Sequence, residues 1–336
     1  MIHTNQASRL IMKQALLFCA LALPAALAQA ETTDSERVKL CMIEKFVEAS
    51  PDTTVGQIRS ECQQRPAESF VVERAKAEQL TYADGYAIAP HKPNYMLGVV
   101  QSSHTPSSPP FQNANNGQGS ANKTEAEFQI SLKFPIIPGD LGSMKWMVAY
   151  TNRSFWQVYN ENWSRPFRET NHEPETWLQF PVSIYLPGTG LTLRAATVGF
   201  NHQSNGQTAE WSRSWNRITS SFVADSENFA LVLRPWWRIP ESAASDDNPD
   251  INHYLGNFDL NGTWRFQNRH RLSFMLRNNL EFEHNRGGYE LSYGIPIPGS
   301  NHLRLYFQGF SGYGKSLISY NHKQESIGAG IELVDW

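Results

Sequence analysis

After its first 30 residues this 336-residue chain contains no run of 18 apolar residues, so it has no segment built to cross a bilayer as a helix. It also lacks a surplus of positive charge. Its 29 Lys and Arg stand against 32 Asp and Glu, with no basic tail and no arginine stripe, and that balance argues against nucleic acid as a partner. Cysteine is scarce, three in all. Cys19 lies in the N-terminal apolar run without the small-residue context of a lipoprotein signal, so no lipid anchor is expected. No internal repeat or low-complexity tract stands out, and 112–122 (QNANNGQGSAN) reads as a flexible loop.

Arg9 and Lys13 precede an apolar run from Ala15 to Ala28, and Ala28-Gln29-Ala30 is a small-x-small cleavage site. Residues 1–30 are therefore expected to be a secretory signal peptide. They hold two basic and no acidic residues, so their removal takes the net charge from −3 to −5. Cys41 and Cys62 remain, and an even cysteine pair in an exported chain suggests a disulfide. Closing that loop stabilises by roughly 3 kcal/mol on the chain-entropy model. Leu40, Ile43 and Val47, and then Val55, Ile58 and Cys62, recur at helical spacing. The expectation is two short helices joined by the disulfide, then a third from about Glu68 to Leu80, together a small periplasmic extension over 31–90.

From Tyr95 onward the period becomes two. In 270–283 the even positions (His270, Leu272, Phe274, Leu276, Leu280, Phe282 among them) are mostly apolar. The odd ones (Arg271, Arg277, Glu281, Glu283 among them) are mostly polar or charged. In 126–134, Ala126, Phe128, Ile130, Leu132 and Phe134 oppose Glu127, Gln129, Ser131 and Lys133. In a soluble sandwich the apolar face would be core; in a membrane barrel it meets lipid and the polar face fills the lumen.

Twelve such segments can be marked: about 94–103, 125–136, 143–158, 175–186, 191–204, 212–225, 228–240, 253–266, 270–283, 287–297, 302–315 and 325–335. Twelve is even, as single-chain bacterial barrels require. Short turns at 138–140, 187–190, 225–227, 267–269 and 298–300 alternate with mostly longer loops such as 104–124, 159–174 and 241–252. That asymmetry matches short periplasmic turns and longer outer loops. The chain ends on an aromatic, Trp336. The predicted fold is all-β: a twelve-stranded antiparallel transmembrane β-barrel over 91–336, with a small helical, disulfide-linked N-terminal extension.

The chemistry concentrates in 201–217, NHQSNGQTAEWSRSWNR. The outward row of 191–204 runs Ala196, Val198, Phe200, His202, Ser204, which puts the histidine and serine on one face. If the hairpin folds tightly over 205–211, Asn216 falls across from His202. A serine hydroxyl needs a base to take its proton, and a neutral histidine suits that task near neutral pH. Asparagine can hold the histidine tautomer without burying a charge beside hydrocarbon. Asn205-Gly206 allows a tight turn whose backbone N–H groups face a developing oxyanion. Each of these features has a plainer structural reading as an interfacial polar residue or a turn; their conjunction on one hairpin points to catalysis. Two alternatives stay open at this stage, a passive barrel and a soluble β-sandwich hydrolase. Where His202 and Ser204 point separates the enzyme from a pore.

HxSNG at 202–206 followed by SRSWNR at 212–217 resembles the catalytic signature of the outer-membrane phospholipase A family. YTNRSFWQ (150–157), RPFRETNHEP (165–174), RPWW (234–237) and DDNPDI (246–251) resemble its further blocks, in its order, and the likeness covers about 94–336. The resemblance implies a twelve-stranded barrel in the bacterial outer membrane that hydrolyses the sn-1 and sn-2 acyl esters of phospholipids and lysophospholipids. It implies calcium dependence and activation as a homodimer. Carried over, Ser204 is the nucleophile, His202 the base and Asn216 the orienting group, with the N–H groups of Ser204 and Gly206 lining the oxyanion hole. Calcium would be held by the Ser212 hydroxyl, the Gln207 carbonyl and, across the dimer, the Ser164 carbonyl, with Asp247 as a further calcium-associated acid. Two positions depart from the pattern: Gln207 stands where the family often has arginine, and Ala209 where it often has aspartate, with Glu210 as a nearby acid. Asn152 matches a glutamine of the family's dimer interface and shares the outward row of Trp146, Val148 and Tyr150.

Overall fold

The alternation closes into a barrel. The computed structural model describes residues 41–42, 45–46, 50, 53–64, 69–82, 86–106, 121–137, 144–163, 165–266, 268–300 and 302–333. The expected signal peptide, the turn at 138–140 and Trp336 lie outside the described residues. The chain forms two compact units, Met1–Ala67 with Arg265–His270, and Glu68–Trp264 with Arg271–Trp336.

In the first unit Cys41 and Cys62 are bridged, with Cα atoms 5.7 Å apart. Helix α1 (Val55–Gln64) buries Ile58 and Cys62 against Cys41, with Met42 packed on the cluster. The helical spacing and the disulfide are both present; of the first expected helix, residues 41–42 and 45–46 are described and are helical.

The second unit holds helix α2 (Phe70–Tyr82) and a sheet of thirteen strands. These are β1 (Ala89–Pro90), β2 (Tyr95–Ser102), β3 (Thr124–Pro135), β4 (Lys145–Trp156), β5 (Phe167–Leu186), β6 (Leu191–Ser204) and β7 (Ser214–Asp225). They continue as β8 (Phe229–Arg238), β9 (Phe258–Arg265), β10 (Arg271–Asn278), β11 (Gly287–Pro296), β12 (Leu303–Gly312) and β13 (Gln324–Leu333). From β2 to β13 each strand pairs with its neighbours in sequence, and the β2–β13 pairing closes a twelve-stranded barrel without free edges. The two-residue β1 is extra; it continues the β3 ladder at Leu132 and Lys133, beyond the reach of β2.

The outer row is apolar: Ile130, Leu132, Phe134, Leu305, Phe307, Ile327 and Ile331 are exposed. The inner row is charged and paired. Glu127, fully buried, accepts from Tyr95 Oη at 2.7 Å and Arg153 Nε at 2.8 Å, with Lys315 Nζ 3.3 Å away. Glu125 takes both arms of Arg168 at 2.9 Å. Burying such charges is tolerable only because each finds a partner.

Several boundaries differ from the sequence expectation. Strand β5 begins at Phe167, so the loop placed at 159–174 is short. Residues 251–255, the entry to the strand expected over 253–266, form helix α3 (Ile251–Leu255), which Gly256 ends at φ +74°. The strand expected over 270–283 stops at Asn278, because the Asn279 carboxamide takes over. Its Oδ1 accepts from the N–H groups of Glu281 and Arg286, and its Nδ2 donates to the His253 and His284 carbonyls. Glu281 is therefore not a lumen residue; it pairs with His253 in the loops.

Helix α2 docks at the short-turn end. Its free N-terminal N–H of Val71 donates to Asp225 Oδ2 at 2.8 Å, a carboxylate that also satisfies Arg194 and favours the positive end of the helix. Glu78 holds the other side, 2.8 Å from Lys133 Nζ and 2.9 Å from Arg74 Nε. Burial pushes the Glu78 carboxyl upward, but Lys133 and Arg74 together outweigh it and keep the pKa below the ordinary 4.5. A depressed carboxylate stabilises the folded state fully above its unfolded value and loses that contribution as pH falls through the lowered one. Docking of α2 is thus expected to weaken as pH drops below 4.5. Protease cleavage within 69–82, followed against pH, should rise on the acid side, and Glu78→Gln should flatten that rise. Acid-independent cleavage of the wild-type protein would contradict the assignment.

Candidate active site

The register of β6 and β7 builds the site. His202 lies opposite Asn216, and Ser204 opposite Ser214. All are on the outer row, in line with the exposed Val198, Phe200, Ile218 and Phe222. The residues between them face inward and are locked. Trp215 is fully buried and donates from Nε1 to Gln203 Oε1 at 2.9 Å. Arg217 donates to Asn201 Oδ1 at 2.5 Å and Glu173 Oε1 at 3.2 Å, and its guanidinium lies 4.0 Å over the Trp215 ring. A slip of one residue would turn this charged row into lipid, so the inner row determines which side chains face outward.

His202 Nδ1 donates to Asn216 Oδ1 at 2.9 Å. The other end of that carboxamide, Nδ2, donates to Glu241 Oε1 at 3.3 Å. A carboxylate only accepts, so Glu241 requires the amide nitrogen on its side and the amide oxygen toward the ring. The oxygen in turn requires the proton on Nδ1, and Nε2 keeps its lone pair. The Ser204 hydroxyl, half-buried, has no hydrogen-bond partner among the described residues. Serine, ring and amide thus lie side by side on the apolar outer surface, with the ring in the tautomer that leaves Nε2 able to accept a proton.

The connection 205–213 is tied down by one side chain. Buried Asn205 donates from Nδ2 to the Trp211 carbonyl at 2.8 Å, while its Oδ1 accepts from Arg213 N at 3.0 Å and Gln207 N at 3.3 Å. Gly206 follows at φ +63°, in the left-handed region that suits glycine. Ala209 takes φ +55° at the start of a short 3-10 turn. Beyond it, Ser212 Oγ donates to Asp247 Oδ2 at 2.6 Å and Ser214 Oγ reaches the same oxygen at 3.4 Å. Asn248, fully buried, accepts from Ser214 N through Oδ1 at 3.0 Å, so the DDNPD loop is pinned over the rim of β6 and β7.

The structure therefore brings His202, Ser204, Asn216 and Gly206 together, and separately joins Ser212 to Asp247 across 35 residues. Gln207 is exposed on the same loop. Ser164 lies outside the described residues. Among the described residues no cluster of three or more His, Cys, Asp and Glu side chains is arranged for a metal. The hydroxyl of Ser212 and the carboxylate of Asp247 do converge, and such hard oxygen donors suit calcium. Glu210 is exposed and uses its carbonyl on Arg213 at 3.0 Å. Two residues of the site escaped the sequence reading. Glu241 sits in a loop without periodicity. His172 falls in the part of β5 taken for loop; carried back from Thr176 and Pro174, the alternation of β5 puts it on the outer row, opposite Ser204.

The family model described as Phospholipase A1 matches residues 71–333. The chain is 39% identical to Phospholipase A1 of Salmonella typhimurium over 221 residues, 66% of this chain and 73% of that protein. It is 39% identical to Phospholipase A1 of Escherichia coli over 216 residues, 64% and 71% of the two. Among solved structures it resembles the outer membrane phospholipase A of Escherichia coli with a TM-score of 0.66 and 37% identity, over 74% of this chain and 98% of that one. It also resembles the calcium-bound dimer of the Salmonella typhi outer membrane phospholipase, with a TM-score of 0.66 and 36% identity, over 73% and 91%.

Proposed function

Because this chain belongs to the phospholipase A1 family of outer-membrane β-barrels, we propose that it cleaves phospholipid acyl esters with Ser204, His202 and Asn216, with calcium, as a homodimer. It is a phospholipase of the bacterial outer membrane, which removes the passive-barrel and soluble-sandwich alternatives. The observation that carries the mechanism is the 2.9 Å hydrogen bond from His202 Nδ1 to Asn216 Oδ1 beside Ser204 on the apolar outer face.

In this reading His202 Nε2 takes the proton of Ser204 Oγ as that oxygen attacks the acyl carbonyl at sn-1 or sn-2 of a phospholipid or lysophospholipid. The N–H groups of Ser204 and Gly206 receive the oxyanion. The imidazolium then protonates the departing glycerol oxygen, and a water activated by the same ring releases the fatty acid from Ser204. Asn216 keeps the ring aligned throughout. The Ser212 hydroxyl, the Gln207 carbonyl and the Ser164 carbonyl of the partner subunit would hold calcium, with Asp247 beside them. The ion would supply positive charge close to the oxyanion. With alanine at 209 one acidic contact of the family pattern is missing, so calcium binding is expected to be weaker.

The dimer rests on the outward row of β4. Trp146 and Tyr150 are exposed there, and Asn152 lies between them and the rim with its Oδ1 accepting from Ser154 Oγ at 3.0 Å. Its amide hydrogens, which have no partner among the described residues, are costly in lipid and would be satisfied across a two-fold axis. The proposal includes the domain layout: a leader over 1–30, a periplasmic extension over 31–90 and the catalytic barrel over 91–336. Release of fatty acid from phospholipid–detergent micelles by the refolded protein tests it. Release with calcium and none with chelator is expected; none in either condition from a folded barrel would overturn it.

A further inference from the structure

On the other side of the nucleophile stands a second histidine. His172 on β5 is the register partner of Ser204 on β6. Its Nδ1 lies 2.5 Å from Tyr150 Oη, and the two rings stack at 6.1 Å. A Cβ added to Gly206 would meet His172 Cδ2 at 3.6 Å and Nε2 at 3.7 Å. The Cδ2–Nε2 edge of the ring therefore packs on the glycine whose N–H faces the oxyanion in the reading above.

The two histidines are held in opposite tautomers by opposite partners. Asn216 offers His202 an oxygen that only accepts, so His202 carries its proton on Nδ1. Tyr150 offers His172 a hydroxyl. A phenol, with a pKa near 10, is a much stronger acid than a neutral imidazole N–H, so the favoured bond is O–H to Nδ1. His172 then carries its proton on Nε2, the nitrogen beside Gly206. With no lone pair there, it cannot act as the base for Ser204. It can donate.

We propose that His172 is a catalytic hydrogen-bond donor: its Nε2–H joins the backbone N–H groups of Ser204 and Gly206 around the scissile carbonyl oxygen as that oxygen becomes anionic. Tyr150 is a positioning residue that sets the tautomer. This assignment rests on the Ser204 reading. A neutral donor fixed before the reaction stabilises charge without reorganising, and losing one such donor costs about 10²–10³ in kcat.

The test compares His172→Phe, His172→Gln and Tyr150→Phe with the wild-type protein in calcium-containing micelles, each first shown to fold by heat-modifiable gel migration. His172→Phe keeps a ring without a donor and should lower kcat by about 10²-fold or more, with KM changed less than about threefold. His172→Gln restores an N–H and should recover at least about tenfold of that loss, and Tyr150→Phe should lose about tenfold. Binding of a long-chain trifluoromethyl ketone, which forms an oxyanion on Ser204, should weaken in parallel with kcat. Binding of an ether analogue of the substrate should not change. A His172→Phe kcat within about threefold of wild type, or equal weakening of both analogues, would overturn the donor role. Loss of hydrolysis in Ser204→Ala checks the underlying reading separately, so failure at His172 leaves the nucleophile in place. If His172→Phe does not fold, His172→Gln with Tyr150→Phe carries the test: normal kcat in Tyr150→Phe overturns the assignment.

Discussion

Ser204→Ala is expected to abolish ester hydrolysis, lowering kcat/KM by about 10⁴-fold or more, and to leave the barrel intact. Both halves of this expectation follow from the position of the side chain. The hydroxyl has no hydrogen-bond partner among the described residues and is half-buried on the outer row, so its removal unpairs nothing and opens no cavity. A change in stability within about 0.5 kcal/mol is expected, as for a surface substitution. His202, Asn216 and Glu241 stay in place, but the proton acceptor then has no nucleophile to serve. Fatty-acid release from micelles reads the first half, and the heat-modifiable shift in gel migration reads the second. Hydrolysis at more than a few per cent of the wild-type rate would remove Ser204 from the mechanism.

The alternation of β3 and β10 was readable because lipid enforces it: outside positions such as Ile130, Leu132 and Phe274 have no other acceptable chemistry, and inside positions such as Glu127 and Arg271 find partners there. The same rule explains where the reading stopped short. The first residues of β5 present Phe167, Thr170, His172 and Pro174 outward or near it, and Arg168, Glu169, Asn171, Glu173 and Glu175 buried inward. Here the outer row is no longer uniformly apolar. It borders the rim, where hydrocarbon gives way to water and to the site. The periodicity that marks a strand fades at the rim, so alternation alone does not mark His172.

Loops yielded less still. The segment around Tyr254 reads as a strand by its apolar residues, but Ile251 and Leu255 share one helical face and pack with Trp215, Trp236, Leu317 and Tyr320. Only tertiary contact reveals that choice. Glu241 gives no local signal at all, since its role depends on meeting Asn216 from a loop 25 residues later. By contrast, the hairpin that joins His202, Ser204 and Asn216 was legible. It needs only strand parity and a tight connection, and Asn205 ties that connection at Gln207, Trp211 and Arg213.

That register is held from inside, and Trp215→Ala should expose the dependence. The indole is fully buried, donates to Gln203 Oε1 at 2.9 Å, carries Arg217 at 4.0 Å over its face and meets Trp236 edge-on at 6.0 Å. Its removal leaves a cavity beneath Asn216, and burial lost on this scale costs about 3–5 kcal/mol. It also leaves Gln203 Oε1 with only the longer bond from Arg217 Nη2 at 3.4 Å among the described residues, and Arg217 without its platform, in a lumen where Lys92, Asn201 and Arg217 hold Glu173. The barrel ladder itself remains, so the protein should still refold. Its thermal gel-shift midpoint should fall, and kcat should drop by at least about tenfold because the Asn216–His202 hydrogen bond tolerates little displacement. Trp215→Phe separates the contributions. It keeps most of the ring volume and loses one hydrogen bond, a cost of about 1 kcal/mol, so its kcat should stay near wild type. If Trp215→Ala lost stability but hydrolysed lipid at the wild-type rate, the outer row would be held by the 205–213 connection instead, and the inner lock would be a feature of stability alone.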